Sequence, residues 1–154
     1  MHFWTAFHGM GILVFTFLVV LLDQITKLVV KGRFYLRESI EILGDILRFT
    51  YIQNEGMAFG IQVGSKLFLT IFTSIASIVI IVCMYRMRNE RFHSRLSLAL
   101  ILGGTIGNLI DRFAYGAVID FIDVGIGNTR WPVFNVADTS VTIGMIILVS
   151  MVLF

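Results

Sequence analysis

The sequence predicts a mainly α-helical integral membrane protein, a four-helix bundle that carries a small β-sheet subdomain on the outer surface of the membrane. Three observations predict it. The 154 residues are 57% hydrophobic and only 14% charged, with a mean hydropathy of +0.89, which is membrane composition. Four apolar segments, residues 9–30, 67–85, 95–113 and 136–154, approach or meet the roughly 17–25 helical residues that cross a hydrocarbon core of about 30 Å. Between the first two lies a connection, residues 31–66, too long and too patterned to be a linker. Little chain remains for a soluble domain, so residues 1–154 read as a single membrane unit whose site is built from helix ends and connections.

The first apolar segment reads as a retained transmembrane helix and not as a secretory signal. Residues 1–10 hold no Lys or Arg, no Ala-x-Ala-like exit follows, and the segment runs into Asp23-Gln24-Ile25-Thr26-Lys27. Four spans place both termini on one side together with residues 86–95. That connection holds four arginines in ten residues, which marks it as cytoplasmic by charge density. The raw count on the opposite side, Lys31, Arg33, Arg37, Arg48, Lys66 and Arg130, argues the other way, although Glu38, Glu41, Asp45 and Glu55 offset it.

In the first outer connection, Gly44-Asp45 between short apolar-rich runs is a hairpin signal, and Leu47, Phe49 and Tyr51 alternate with Arg48 and Thr50 as a strand with one buried face would. Asn54-Glu55-Gly56 makes a polar turn, after which residues 57–61 return to the membrane; residues 38–62 form the surface β-rich region. The third span reads as short, and Gly103, Gly104 and Gly107 let neighbours approach closely, so it is expected to be the most buried helix. The second outer connection, residues 114–135, contains Gly116, Gly125, Gly127 and Trp131-Pro132, and reads as irregular, with Trp131 at the membrane interface.

The net charge of +2 comes from dispersed basic residues, so no block tracks a phosphate backbone and nucleic acid is excluded as a partner. Cys83 has no second thiol and reads as a structural buried thiol. His2, His8 and His93 lie near the side away from the acids, so no metal site and no cofactor are expected.

The chemistry rests on two carboxylates. Asp120 stands inside Val118-Ile119-Asp120-Phe121-Ile122, and Asp138 at the mouth of the last apolar run. Acids in such surroundings are costly and usually functional. Asn135 caps the last helix with Asp138 three residues in, a common arrangement, but capping does not explain Asp120. Asn108, Asp111 and Arg112 share a face near the outer end of the third span, with interfacial snorkelling as the plainer account of Arg112. Asp23 and Lys27, spaced i, i+4, either pair to let the first helix end in the interface or support the site.

Five strings stand in order among the four spans: Asp23-Gln24-x-x-Lys27, Asn54-x-Gly56-x-Ala58-Phe59, Gly103-Gly104-x-x-Gly107-Asn108-x-x-Asp111-Arg112, Val118-x-Asp120-Phe121 and Phe134-Asn135-x-Ala137-Asp138. Together they resemble the lipoprotein signal peptidases, or signal peptidase II, over nearly the whole chain. The resemblance implies an aspartic endopeptidase of the bacterial inner membrane, with cytoplasmic termini and an active site near the outer face. Its partners would be membrane lipid and prolipoproteins carrying a diacylglyceryl-modified cysteine, cut just before that cysteine. Asp120 and Asp138 match the catalytic pair; Asn54, Gly56, Asn108, Asp111, Arg112, Asn135, Asp23 and Lys27 match substrate-binding or supporting positions. The alternative is a small proton- or cation-coupled transporter in which the same acids relay protons.

Overall fold

The computed structural model describes residues 11–56 and 66–153, with the side chain of Val152 left aside. The return of residues 57–61, the motif residues Ala58 and Phe59, and the start of the first span at Gly9 lie outside the described residues. Four helices, α1 (Leu13–Arg33), α2 (Lys66–Arg86), α3 (Phe92–Tyr115) and α4 (Val136–Leu153), accompany one four-stranded antiparallel sheet. The sheet runs β1 (Ser39–Leu43), β2 (Leu47–Asn54), β3 (Val118–Ile126), β4 (Thr129–Arg130) in both sequence and space. Three helices, α1, α2 and α3, are long and apolar enough to cross a membrane; α4 is an apolar helix of 18 residues.

The bundle is built the opposite way to a soluble one. On α1 the buried stripe is Thr16, Asp23, Lys27 and Val30, recurring at helical spacing, while Phe17, Leu18, Leu22 and Leu28 are exposed. Apolar side chains need no burial where the solvent is hydrocarbon, so the interior can hold polar groups that must find one another, beside apolar ones such as Leu98 and Leu102.

The helix α3 packs against the other three and is the most buried, as expected. It is not short: it runs 24 residues, beyond the predicted 95–113 at both ends. Its interior-facing polar and small residues, from Ser94 to Asp111, break the apolar run on which a sequence boundary rests. The helix ends at Gly116, in the left-handed conformation with φ 71°, whose N–H donates to Arg112 O. Close packing depends on Gly104, where an added Cβ would lie 2.3 Å from Ala137 O of α4.

The predicted hairpin is present, with β1 and β2 joined through Gly44 at φ 48°. The irregular connection expected over residues 114–135 is instead half of the sheet. Nine of its residues form β3, which pairs with β2 along Leu47↔Val124 to Asn54↔Val118, and one of the glycines that suggest an irregular chain, Gly127 at φ 57°, turns β3 into β4. Residues 118–121 are buried on both faces, so they lack the alternation by which a strand is read from sequence.

A cluster of Val30, Tyr51, Ile119 and Phe121, joined by Phe34, Phe49, Ile122 and Val136, seats the sheet on the end of the bundle. Phe49 and Phe121 meet edge-to-face at 5.8 Å. Far from the bundle, Arg130 donates to Asp123 Oδ1 at 2.6 Å and to Asp45 O at 2.9 Å, and Thr50 donates to Asp123 Oδ2 at 2.8 Å, locking the two hairpins together.

Candidate active site

Ile119 and Phe121 turn into the cluster that seats the sheet, so Asp120, between them on β3, projects from the other face. Asn54 lies on that face of β2, diagonally across the pair, and donates through Nδ2 to Asp120 Oδ2 at 3.0 Å. Gly56 N in turn donates to Asn54 Oδ1 at 2.9 Å, which fixes the amide. Asn135 Nδ2 donates to Asp120 Oδ1 at 2.6 Å, so both oxygens of this fully buried carboxyl accept from asparagine amides.

Asp138 comes to the same place from α4. Asn135 is the residue before that helix, and its Oδ1 accepts from Asp138 N at 2.9 Å while its own N–H donates to Asp138 Oδ2 at 3.3 Å, a reciprocal cap. The expected capping pair is therefore present, and it also joins the two acids, because the Nδ2 of the same Asn135 holds Asp120. Asn108 on α3 completes the set, donating to Asp138 Oδ1 at 2.8 Å. Burial, and after it the negative charge of Asp138, push the Asp120 carboxyl up to about 7 from its ordinary 3.8, against the pull of its two amide donors and of Lys27.

Behind the pair lies a second layer. Lys27 Nζ sits 2.7 Å from Asp23 Oδ2 and 2.9 Å from Asp111 Oδ2, and all three side chains are at most 1% exposed. The interfacial reading of the Asp23–Lys27 pair is thus corrected: the stripe that α1 buries against α3 carries both residues inside, where an unpaired charge is untenable. Asp111 Oδ2 also accepts from Ile119 N at 3.0 Å, tying α3 to β3. Arg112 is half-buried, with Asp138, Asp120 and Asp111 as the charges acting on it, and its side chain has no hydrogen bond or ion pair among the described residues.

All ten residues singled out in the sequence therefore converge. Gln24 was passed over: its Nε2 donates to Gly107 O at 3.1 Å and Asp111 Oδ1 at 3.1 Å. Its place beside Asp23 and three residues before Lys27, on an otherwise apolar helix, was the available signal. Cys83, expected buried, is half-buried on α2.

The model of the family described as signal peptidase (SPase) II matches residues 15–154. The chain belongs to the signal peptidase II family. The lipoprotein signal peptidase of Syntrophus aciditrophicus strain SB is 44% identical over 137 residues, covering 86% of this chain and 85% of that one. The lipoprotein signal peptidase of Halothermothrix orenii is 42% identical over 132 residues, covering 86% and 88% respectively. A bacterial membrane enzyme solved by the in meso method at 2.3 Å has a TM-score of 0.83 at 33% identity, covering 93% of this chain and 87% of its own. A second, solved at 1.9 Å, has a TM-score of 0.77 at 31% identity, covering 93% of this chain and 92% of its own. As a signal peptidase II, this is a peptidase of a bacterial membrane, and the transporter alternative is set aside.

Proposed function

We propose that the chain is an aspartic endopeptidase that removes the signal peptide from diacylglyceryl-modified prolipoproteins, cutting just before the lipidated cysteine, with Asp120 and Asp138 as its catalytic pair. The observation that carries this reading is the convergence of two carboxyl groups from different elements on one asparagine: Asn135 donates to Asp120 through its side chain and to Asp138 through its backbone.

Two close acids do not both ionise cheaply, so the pair holds one proton between them. The raised Asp120 is the member that keeps it, and Asp138, fed by Asn108 and by the start of α4, is the base. Asp138 takes a proton from water as the water oxygen bonds to the scissile carbonyl carbon; Asp120 donates its hydrogen bond to the developing oxyanion. Collapse breaks the C–N bond as the proton held on Asp138 passes to the leaving amine. The new carboxyl terminus belongs to the signal peptide, and the free amine to the lipidated cysteine.

Asn54 and Arg112 border the pair and are assigned to the substrate, Arg112 because its guanidinium donors are uncommitted among the described residues. Gly56, Asn108, Asn135, Asp111, Asp23 and Lys27 support the pair. No metal and no cofactor enters any step. The enzyme acts as one unit in the inner membrane, with cytoplasmic termini and its site near the outer face, where the sheet lies on the bilayer. Acyl chains left in the lipid would hold the substrate's peptide bond at the depth of the pair and remove much of the entropic cost of the encounter.

Purified enzyme in detergent, given a lipidated and an unlipidated precursor, is expected to cut only the lipidated one. Equal cutting of both would remove the lipid requirement, and no cutting of either by folded enzyme would remove the activity.

A further inference from the structure

Lys27 commits all three of its N–H donors. Two go to the carboxylates of Asp23 and Asp111, and the third goes to a neutral amide, Asn108 Oδ1, at 2.9 Å. The same Oδ1 accepts from Asn135 Nδ2 at 3.1 Å, while Asn108 Nδ2 donates to Asp138 Oδ1 at 2.8 Å. Turned over, the Asn108 amide would set its NH₂ against an ammonium and a second NH₂, and its carbonyl oxygen against a carboxylate. Every contact would be repulsive. With Lys27 present, only one orientation of Asn108 is tenable.

We infer that Lys27 is a positioning residue for the reaction: it holds Asn108 in the orientation that delivers an N–H to Asp138, and so determines which carboxyl of the pair acts as the base. The inference rests on the reading of Asp120 and Asp138 as the catalytic pair. The charged groups facing that pair are Asp23 and Lys27 from α1 and Asp111 and Arg112 from α3, while β2 contributes the neutral Asn54. Lys27 touches neither carboxyl of the pair by hydrogen bond or ion pair; beside the through-space pull of its charge, its hydrogen-bonded path to Asp138 runs through Asn108.

The test is the pH dependence of kcat/KM. In Lys27→Met the Asn108 amide keeps its contacts with Asn135 and Asp138 but loses the ammonium on its carbonyl oxygen, so its N–H is held less firmly on the ionised base and the acid limb is expected to move up by about one pH unit. Because that variant leaves Asp23 and Asp111 facing each other, Lys27→Met/Asp111→Asn serves as its charge-matched partner and is expected to show the same displacement. Asn108→Leu should shift the limb likewise, and Lys27→Met/Asn108→Leu should shift it no further than either change alone. A purely structural lysine would lower thermal stability and the yield of active enzyme with the limb unmoved. An unmoved limb in folded Lys27→Met, or in the charge-matched variant where the single one does not fold, overturns the inference, as do additive shifts in Lys27→Met/Asn108→Leu. Failure of the catalytic-pair reading is a separate result, turnover by Asp120→Asn or Asp138→Asn.

Discussion

Asp23 on α1 and Ala137 on α4 lie 114 residues apart and are joined by one hydrogen bond, from Ala137 N–H to Asp23 Oδ1 at 2.9 Å. The first turn of a helix leaves N–H groups without intrahelical partners, and those groups favour a negative acceptor. In α4, Asn135 Oδ1 takes the Asp138 N–H, and a carboxylate from another helix takes the Ala137 N–H. Asp23 thereby anchors the start of the helix that carries Asp138, and its other oxygen holds Lys27. The buried charge layer and the candidate base are mechanically one assembly.

Asp23→Asn keeps an oxygen for Ala137 N–H, whereas Asp23→Ala removes both contacts. Breaking a buried charged pair by deleting one partner costs about 3–5 kcal/mol. The expected order in thermal melting and in turnover is wild type, then Asp23→Asn, then Asp23→Ala, with activity weakened and not erased. Complete loss of turnover in well-folded Asp23→Ala would give Asp23 a direct part in the chemistry.

Asp120→Asn and Asp138→Asn are each expected to abolish cleavage while membrane insertion and expression stay near normal. An amide fits either space but supplies neither the shared proton nor the base. Residues acting as one unit lose activity non-additively, so the double variant should be no worse than either single one. Cleavage should survive EDTA and Cys83→Ser, since in the proposed mechanism two carboxyls activate the water without a metal or a thiol. Recovery of chelated enzyme by a divalent ion would point to a metal-assisted reaction instead.

Part of this site was legible in the chain because polar residues in an apolar sequence are conspicuous: Asp23, Lys27, Asn108, Asp111, Asp120 and Asp138 all announced themselves by where they stood. Their partnerships were not legible. The Ala137 N–H that Asp23 holds and the Ile119 N–H that Asp111 holds are backbone groups, present at every position and marked by no residue type. The strand β3 is hidden because burial on both faces erases the two-residue period, and α3 reads too short because most of the residues it turns inward are polar or small. In lipid, hydropathy reports which faces meet hydrocarbon, and it falls silent where the protein meets itself.

The raised Asp120 carboxyl gives two pH dependences. In the proposed mechanism its proton stabilises the oxyanion, so kcat/KM is expected to fall as pH rises through about 7, while loss of the base forms the acid limb. For stability, the folded state binds a proton that the unfolded chain releases near 3.8, so this group's contribution is full below 3.8 and is lost as pH rises to about 7. Melting temperature in detergent should therefore decline across that window, and the decline should be shallower in Asp120→Asn. An equal slope in the two proteins would mean that Asp120 titrates at its ordinary value.

Two glycines on α3 test whether helix approach sets the site. At Gly107 an added Cβ would lie 2.5 Å from Asp23 Oδ2, and at Gly104 it would lie 2.3 Å from Ala137 O. The first would press on a side chain that holds both Lys27 and the start of α4; the second would press on backbone and drive α4 from α3. Overpacking of this kind costs about 1–3 kcal/mol. Gly107→Ala is expected to lower turnover more than melting temperature, because displacing Asp23 disturbs Lys27 and the seat of Asp138 while leaving most of the helix contact in place. Gly104→Ala should do the reverse at first order, lowering melting temperature through the whole α3–α4 interface. The pair of measurements decides the matter: if both variants lose stability and turnover in the same proportion, the Asp23 contact has no role apart from packing.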